Sequence, residues 1–172
     1  MPILTLISSV FLFLVVCGMF AFLADRVFGG LDFATGQDGV NQVVGVIKQR
    51  HLENRNFYDL GSARGTFACK IAKALPNLHV RGIDGSNFRV LWSNLTAIFI
   101  KNLKFKKENF FKTDVSSADI VYLYLPQQLM PGLQAKLQKE LKPGSLVISK
   151  RVSFPDWQPV EKLKELFIYA KA

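Results

Sequence analysis

The sequence predicts an α/β fold, with an open, mostly parallel and doubly wound sheet that follows one apolar N-terminal helix. Three observations lead to this prediction. Short apolar runs alternate with stretches of helical spacing along residues 40–172, which is typical of strand–helix–strand units with right-handed crossovers. A turn of small residues, from Gly61 to Gly65, joins the first apolar run to a helix. Residues 3–24 carry no charge and stand apart from the rest.

Composition narrows the classes of function. The chain of 172 residues has room for one domain of moderate size and an appendage. Its formal net charge of +9 favours an anionic partner, which could be a nucleic acid, a membrane surface or an acidic protein. The two cysteines and two histidines have no metal-ligand spacing, so neither a disulfide framework nor a metal site is predicted. Cys17 and Cys69 are interpreted as packing residues.

The uncharged N-terminal segment has the length of a membrane span. As a helix, Ile3 to Ala24 would extend about 33 Å at ~1.5 Å per residue, against a hydrocarbon core of ~30 Å. A secretory signal peptide, the alternative, would need basic residues in front and a shorter apolar core. Arg26 follows the segment, which predicts a single-pass protein with its C-terminal domain on the cytoplasmic face, or the matrix face in a mitochondrion. The predicted organisation is an anchor over residues 1–25 that contacts the bilayer through residues 3–24, a glycine-rich neck over residues 26–39, and a folded domain over residues 40–172.

The small-residue turn predicts a cofactor site. A bare turn lets backbone N–H groups approach a ligand at the start of a helix. Dinucleotide folds use G-x-G-x-x-G, but here the third glycine is missing, and Asp59 at the strand end would repel a pyrophosphate. The spacing instead resembles the first motif of class I S-adenosylmethionine (SAM) methyltransferases; a strand–turn–helix without a ligand is the alternative. The predicted cofactor residues of this motif are Asp59, Gly61, Ser62, Ala63 and Gly65.

Two later strand ends add further candidates. Asp84 ends the strand from His79 and could accept hydrogen bonds from ribose hydroxyls, or could belong to a helix N-cap. Asn109 and Phe110 follow the alternating strand Leu103–Lys107 and could contact the edge and face of an adenine, or could be ordinary loop residues. All of these positions fall at the carboxyl edge of the predicted sheet, where such folds bind ligands.

The remaining elements complete the alternation. The predicted helices are Val40–Gln49, Ser86–Ile100 with Phe88, Leu91, Trp92, Leu95 and Phe99 on one face, and Leu129–Leu141; the predicted further strands are Asp119–Pro126, Ser145–Lys150 and Leu166–Ala170. The lysines from Lys101 to Lys112 are interpreted as a solvated or membrane-facing surface in preference to an RNA site.

Three motifs resemble those of one family. Asp59-Leu-Gly-Ser-Ala-Arg-Gly65, Tyr124-Leu-Pro-Gln-Gln-Leu-Met130 and Arg151-Val-Ser-Phe-Pro-Asp-Trp-Gln-Pro159 look like the membrane-anchored mitochondrial protein-lysine methyltransferases and their prokaryotic relatives. The resemblance implies SAM as cofactor and a lysine of a membrane-associated protein as methyl acceptor, with no nucleic-acid partner. The chain departs from the family turn at Ala63, Arg64 and Thr66, and Arg64 places a cation near a cationic cofactor.

The expected chemistry suggests a substrate pocket. Tyr124, Pro126 and Trp157 could desolvate a lysine ammonium and favour its neutral amine, although the segment Phe154–Trp157 could equally be a packed loop. Two other functions remain open. One is a methyltransferase for a lipid or quinone, and the other, suggested by Arg64, is a membrane-tethered binding module that keeps the fold without catalysis.

Overall fold

A computed structural model describes residues 2–28 and 35–172 of the chain. These residues belong to two compact units that divide after Asp32. Within the predicted neck, residues 26–39, residues 26–28 are helical and residues 37–39 begin the next helix, while residues 29–34 lie outside the described part. The neck stays a prediction.

The first unit contains one long helix, α1, over Pro2–Phe28. Its described side chains are exposed, and the segment Ile3–Phe20 has a mean hydropathy of 2.6. The hydroxyls of Ser8 and Ser9 donate to the Thr5 carbonyl, so these polar groups are satisfied within the helix. By length and composition, α1 is a candidate membrane span.

The second unit is the α/β domain that the sequence predicts. Its helices are α2 (Gln37–Gln49), α3 (Thr66–Ala74), α4 (Asn87–Thr96) and α5 (Met130–Glu140), with a 3-10 turn over Gln127–Leu129. Its strands are β1 (Asn56–Leu60), β2 (His79–Asp84), β3 (Leu103–Lys107), β4 (Ile120–Leu123), β5 (Leu146–Lys150), β6 (Glu161–Leu163) and β7 (Leu166–Ala170). The short strand β6 has no counterpart among the predicted elements.

The seven strands form one sheet in the order β3-β2-β1-β4-β5-β7-β6. β1 to β5 are parallel, whereas β7 runs antiparallel to both β5 and β6. The order reverses between β1 and β4, and this reversal opens a crevice at the carboxyl edge of the sheet. The predicted doubly wound, mostly parallel sheet is confirmed.

Helices cover both faces of the sheet because successive strand residues point to opposite sides. Phe57 of β1 packs into a cluster with α2, α3 and the inner face of α4, while Tyr58 packs into a second cluster with α5. The phenol of Tyr122 joins the first cluster to the start of the domain, since its hydroxyl lies 2.8 Å from Thr35 Oγ1 in a hydrogen bond.

Helix α4 is oriented differently from what its apolar face suggests. Its buried residues are Arg89, Val90 and Ser93. Leu91, Trp92 and Leu95 are exposed instead, as is Phe99 in the turn that follows. The helix therefore contributes little apolar surface to the core and leaves an apolar face outside.

The side chain of Asn102 links the end of α3 to the start of β3, so its removal should lower the stability of the domain. Its amide Nδ2 donates to the carbonyls of Ala72, Leu75 and Leu78 at 3.1, 3.0 and 2.9 Å. Asn102→Ala leaves these carbonyls without that donor, so we expect the free energy of unfolding to fall by about 1–3 kcal/mol. Urea titration followed by circular dichroism measures this change.

The control for this substitution is Asn94→Ala, on the exposed side of α4. Its stability should stay within about 0.5 kcal/mol of the wild type. Equal stability of the two variants would show that the three hydrogen bonds of Asn102 do not contribute.

Candidate cofactor and substrate site

The turn between β1 and α3 is held against the end of β2 by backbone hydrogen bonds. The N–H groups of Gly61 and Ser62 donate to the Ile83 carbonyl at 2.8 and 2.9 Å. Three of the turn residues, Gly61, Ala63 and Gly65, have positive φ angles of 81°, 49° and 74°. Two of them are glycine, which adopts this region without strain, and Ala63 adopts it at a steric cost.

Asp84 joins the turn to the start of α4. Its side chain is buried; Oδ2 accepts from the Ala63 N–H and Oδ1 from the Ser86 N–H, both at 2.9 Å. The N-cap of α4 is Ser86, whose Oγ accepts from the Arg89 N–H at 3.3 Å. Asp84 thus precedes the cap, and its carboxylate orients the cofactor turn. Ribose binding by Asp84 stays a prediction.

Asp59 lies at the end of β1 with 3% of its surface exposed. Burial, and secondarily the charge of Asp84, raise the pKa of Asp59 to about 8. Two carboxylates in such proximity favour a cation between or beside them, as the sequence predicts for a sulfonium cofactor.

The two glycines Gly65 and Gly82 leave space for an aromatic ring that the sequence analysis did not single out. A Cβ at either position would lie 2.3 Å from the ring of Phe105 in β3. The missing side chains therefore let β3 pack closely against the turn. The sequence does show a glycine within β2 and an alternating pattern in β3. Only the strand register, which pairs Gly82 with Phe105, shows that the two meet.

A cavity of about 630 Å³ opens at the carboxyl ends of β2 and β3. It is lined by Gly85, Lys107, Glu108, Asn109, Phe110 and Phe111. The Asn109 Oδ1 accepts from the Phe111 N–H at 2.9 Å, and the Glu108 N–H donates to the Asp84 carbonyl at 3.0 Å. The structure thus brings Asn109 and Phe110 to one cavity that borders Asp84. Their contact with an adenine stays a prediction.

Ser62 carries a buried polar atom at this turn. Its Oγ is buried and has no hydrogen-bond partner among the described residues. A buried hydroxyl without a partner is costly, and a ligand group that reaches the turn would satisfy it. Arg64 beside it is half-buried.

At the end of β4, Tyr124 is flanked by two cations. Arg151 Nη1 donates to the Tyr124 hydroxyl at 2.7 Å, and Lys150 Nζ lies 4.9 Å from the ring centroid. Desolvation lowers the pKa of Lys150, an effect that Glu165 opposes. Pro126 immediately precedes the 3-10 turn that follows. The end of β4 therefore presents an aromatic ring in a cationic setting.

Trp157 packs elsewhere. Its ring lies 5.5 Å from that of Phe154 and 5.3 Å from that of Tyr169, in the cluster on the α5 face. Tyr124 packs against the opposite cluster. The structure does not bring Tyr124 and Trp157 together, and the ring contacts of Trp157 agree with the packed-loop alternative. The substrate role of Tyr124 and Pro126 stays a prediction.

Comparison with known families agrees with this geometry. A family model described as the ANTKMT methyltransferase domain matches residues 59–161. The chain belongs to this family. The matched range begins at Asp59 and includes the turn, Asp84, the cavity residues and the end of β4.

Individual relatives point to the same class of enzyme. A protein-lysine N-methyltransferase of Saccharolobus islandicus is 32% identical over 112 residues, which cover 62% of this chain and 68% of that protein. An ATP synthase c-subunit lysine N-methyltransferase of Rattus norvegicus is 29% identical over 121 residues, or 69% of this chain and 55% of that protein. The chain thus spans about half the length of this second relative.

The fold is shared with solved methyltransferases. An RNA methyltransferase from Salinibacter ruber, in complex with S-adenosyl-L-homocysteine, aligns with a TM-score of 0.70 and 23% identity, over 81% of this chain and 92% of that one. At this identity the likeness concerns the fold alone. The predictions of the family, of a methyltransferase enzyme within it and of SAM as its cofactor are confirmed by the comparisons as a whole.

The raised pKa of Asp59 predicts a pH dependence of stability. The folded state holds this proton up to pH about 8, whereas an unfolded Asp releases it near pH 3.9. The stabilisation that this proton gives to the folded state is fully present below about pH 4 and is lost as the pH rises through about 8. The wild type should therefore lose stability over this range relative to Asp59→Asn.

Urea titrations of both ligand-free proteins at several pH values measure this difference. The Asp114→Asn variant, at an exposed carboxylate, serves as the control and should follow the wild type at neutral and higher pH. Parallel curves for the wild type and Asp59→Asn across the range would contradict the raised pKa.

Proposed function

We propose that this chain is a membrane-tethered methyltransferase that transfers methyl groups from SAM to a lysine of a membrane-associated protein. The observation that carries the proposal is the match of residues 59–161 to the ANTKMT methyltransferase domain, in which the turn, Asp84 and the cavity at β3 adjoin one another. The activities for which the relatives are named, on protein lysine and on the c-subunit of ATP synthase, support the acceptor.

The residues of the carboxyl edge would hold SAM in a defined order. Asp59 and the buried Ser62 Oγ lie at the turn, where the methionine part would bind with its positive charges near a carboxylate. Asp84 would accept from the ribose hydroxyls, and Asn109 and Phe110 would contact the adenine in the cavity beyond it.

Methyl transfer makes limited demands on the protein. SAM supplies an electrophilic methyl group on a sulfonium. The protein must align the acceptor nitrogen with that group, keep water out and take the lysine in its neutral form. Since an unperturbed lysine has a pKa of about 10.4, an apolar entrance is needed to favour deprotonation. Tyr124 and Pro126 lie at the end of β4, where they could form it.

Tyr122 does not serve as a base in this scheme. Its side chain is buried against Phe67, its hydroxyl is bonded to Thr35, and burial raises the pKa of this phenol above its usual range. We assign it to packing. The residual positive charge on an acceptor lysine would be tolerated by the ring face of Tyr124, which already lies 4.9 Å from one lysine nitrogen.

The proposed tether is α1. Its apolar composition over Ile3–Phe20 and its internally bonded serines suit a bilayer, and Arg26 just beyond favours a cytoplasmic or matrix location of the domain. Such a tether would confine the enzyme to the surface on which a membrane-protein substrate lies.

Cofactor binding gives the first test. We expect Asp59→Asn and Asp84→Asn each to weaken SAM binding by roughly tenfold to a hundredfold. Asp84→Asn removes an ionised acceptor, and Asp59→Asn removes a carboxyl group that a cationic cofactor would favour in its ionised form. Isothermal calorimetry on the full chain in detergent measures the affinity, and circular dichroism confirms folding. Asp114→Asn, exposed on a different loop, should bind as the wild type does. Unchanged affinity in both site variants would refute the assigned site.

Methyl labelling gives the second test and separates the alternatives. Membranes that contain the full chain are incubated with methyl-labelled SAM, and protein and lipid fractions are counted separately. Label on lysine in the protein fraction, lost in Asp84→Asn, is the expected result. Label in the lipid extract would indicate a lipid or quinone acceptor. SAM binding without transfer to either fraction would favour the binding module that Arg64 suggests.

A further inference from the structure

A cavity of about 510 Å³ opens on the face of β2 and β3 that lies opposite α4. The connection from β3 to β4, residues 108–119, forms turns and contains no helix, so it adds no helical cover to this face. The cavity is lined by four basic and two acidic side chains, with a net charge of +2: Arg81, Lys104, Lys106, Lys112, Glu108 and Asp114. Its volume falls within the range of small-molecule sites, roughly 300–1,000 Å³.

The strand register places positive charges side by side in this cavity. Successive strand residues point to opposite faces of the sheet. Val80 and Leu103 enter the core cluster that contains α3. Arg81 and Lys104 face the cavity instead, and they are register partners in the parallel pair of β2 and β3. Because like charges on neighbouring strands destabilise a sheet, an anion at this place would relieve a repulsion that the fold contains.

The guanidinium of Arg81 is held in place by a buried tyrosine. Its Nη1 donates to the Tyr58 hydroxyl at 2.7 Å, and its central carbon lies 5.3 Å from the centroid of that ring. Tyr58 is itself fixed, since it is buried and its hydroxyl forms a hydrogen bond of 2.9 Å with Ser117 Oγ. Within the described part of the chain, the bond to Tyr58 is the single side-chain hydrogen bond of Arg81. A guanidinium has five N–H groups, so most of its donors remain for a ligand.

The two acidic side chains of the cavity already have partners. Glu108 Oε1 lies 3.1 Å from Lys106 Nζ, and its Oε2 accepts from Thr113 Oγ1 at 2.9 Å. Asp114 Oδ1 accepts from the Ser116 N–H at 2.9 Å. Glu108 therefore neutralises Lys106, and the Asp114 carboxylate is oriented by its own loop.

Three cations of the cavity have no carboxylate partner. Among residues 2–28 and 35–172, no carboxylate oxygen lies within 4.0 Å of the side-chain nitrogens of Arg81, Lys104 or Lys112. All three residues are exposed, so a ligand can reach them from solvent. The cavity therefore presents one fixed guanidinium and two ammonium groups to an anion.

We propose that this cavity is a binding site for a phosphate monoester. The guanidinium of Arg81 matches two phosphate oxygens at once, and the ammonium groups of Lys104 and Lys112 supply point charges. A phosphate monoester carries about −1.5 to −2 charges at pH 7, which is close in size to the net charge of +2 on the lining. A carboxylate carries a single charge and would leave part of this positive charge unbalanced.

The phosphate site is separate from the cofactor site. Of the residues that line the two cavities, only Glu108 belongs to both. SAM contains no phosphate group, so the cofactor would not occupy the second cavity. Phosphate binding thus does not depend on methyl transfer, and substitutions at Lys104 and Lys112 should leave SAM binding unchanged.

A nucleic acid fits this cavity less well. Proteins that bind single strands stack the bases on aromatic rings. The two aromatic residues that line the cavity, Tyr58 and Phe105, are 2% and 8% exposed, so neither ring offers a face for stacking. The phosphate of a small molecule or of a lipid headgroup needs no such ring.

Titration with inorganic phosphate tests the proposal. The full chain in a non-ionic detergent is titrated by isothermal calorimetry, with sodium chloride of equal ionic strength as the blank. We expect a saturable heat with phosphate and none with chloride. The temperature of unfolding should rise as phosphate fills the site, because a ligand that binds the folded state stabilises it.

Neutral substitutions at the two lysines provide the matched comparison. Lys104→Gln/Lys112→Gln should weaken phosphate binding roughly tenfold or more, since it removes two charge-assisted contacts. Neither lysine has an ion pair in the described structure, so the unfolding temperature in chloride should not fall. The control Lys48→Gln/Lys139→Gln has the same net charge but alters exposed lysines of α2 and α5, and it should bind phosphate as the wild type does.

A substitution of the arginine tests the fixed guanidinium. Arg81→Gln should also weaken phosphate binding roughly tenfold or more. Its loss of the hydrogen bond to Tyr58 could lower stability, so circular dichroism confirms that the variant is folded. The lysine variant keeps this hydrogen bond and tests the site without that complication.

Vesicles separate the two sources of a phosphate monoester. The full chain is reconstituted into vesicles that contain phosphatidic acid, whose headgroup is a monoester, or phosphatidylglycerol, a diester, at equal surface charge. Weaker binding of inorganic phosphate in the phosphatidic acid vesicles would identify the lipid headgroup as the ligand. Equal binding in both would identify a soluble monoester.

Three outcomes would overturn the proposal. A heat no larger than that of chloride would show that the cavity does not bind phosphate. Equal affinity in the wild type, the lysine variant and the arginine variant would place the anion elsewhere on the chain. Displacement of phosphate by an RNA oligonucleotide without a terminal phosphate would identify the cavity as part of a nucleic-acid surface.

Discussion

The carboxylate of Asp84 is the contact on which the site depends. With one oxygen it accepts from Ala63 in the turn, and with the other it accepts from Ser86 at the start of α4. A single buried side chain therefore sets the position of the turn, the end of β2 and the direction of α4. Burial makes these charge-assisted hydrogen bonds strong, and it also leaves Asp59 close to a second negative charge, which favours a positively charged ligand.

The sequence predicted most of the fold because its periodicity is strong. The continuous apolar run in β4, and helical spacing in α2, α3 and α5, each agree with one type of element. β6 was missed because its three residues, Glu161–Leu163, are too few to show the alternation of a strand, although they pair with the adjacent β7 in a hairpin. The direction of α4 was also not predictable, since an amphipathic pattern identifies an apolar face but not what covers it.

The site was predictable only in part, for a similar reason. The turn and the acids at strand ends are local signals, and the parallel topology brings local signals from successive strands to one edge. The role of Phe105 depends on register between β2 and β3, and the separation of Tyr124 from Trp157 depends on which face of the sheet each segment crosses. Neither property follows from the spacing of a motif. The sequence alone therefore could not show that Phe105 packs against the turn or that Tyr124 and Trp157 lie in different clusters.

The position of β7 has a consequence for the synthesis of the protein. β7 fills the space between β5 and β6, and Ile168 and Tyr169 within it are fully buried. Until Leu166–Ala170 have left the ribosome, the outer edge of β5 has no partner strand and the core beside it stays open. A nascent chain in that state presents unpaired backbone groups next to apolar surface, which is the combination that chaperones recognise and that promotes association between chains. The interval before the sheet closes is thus the stage at which this domain is most vulnerable to aggregation.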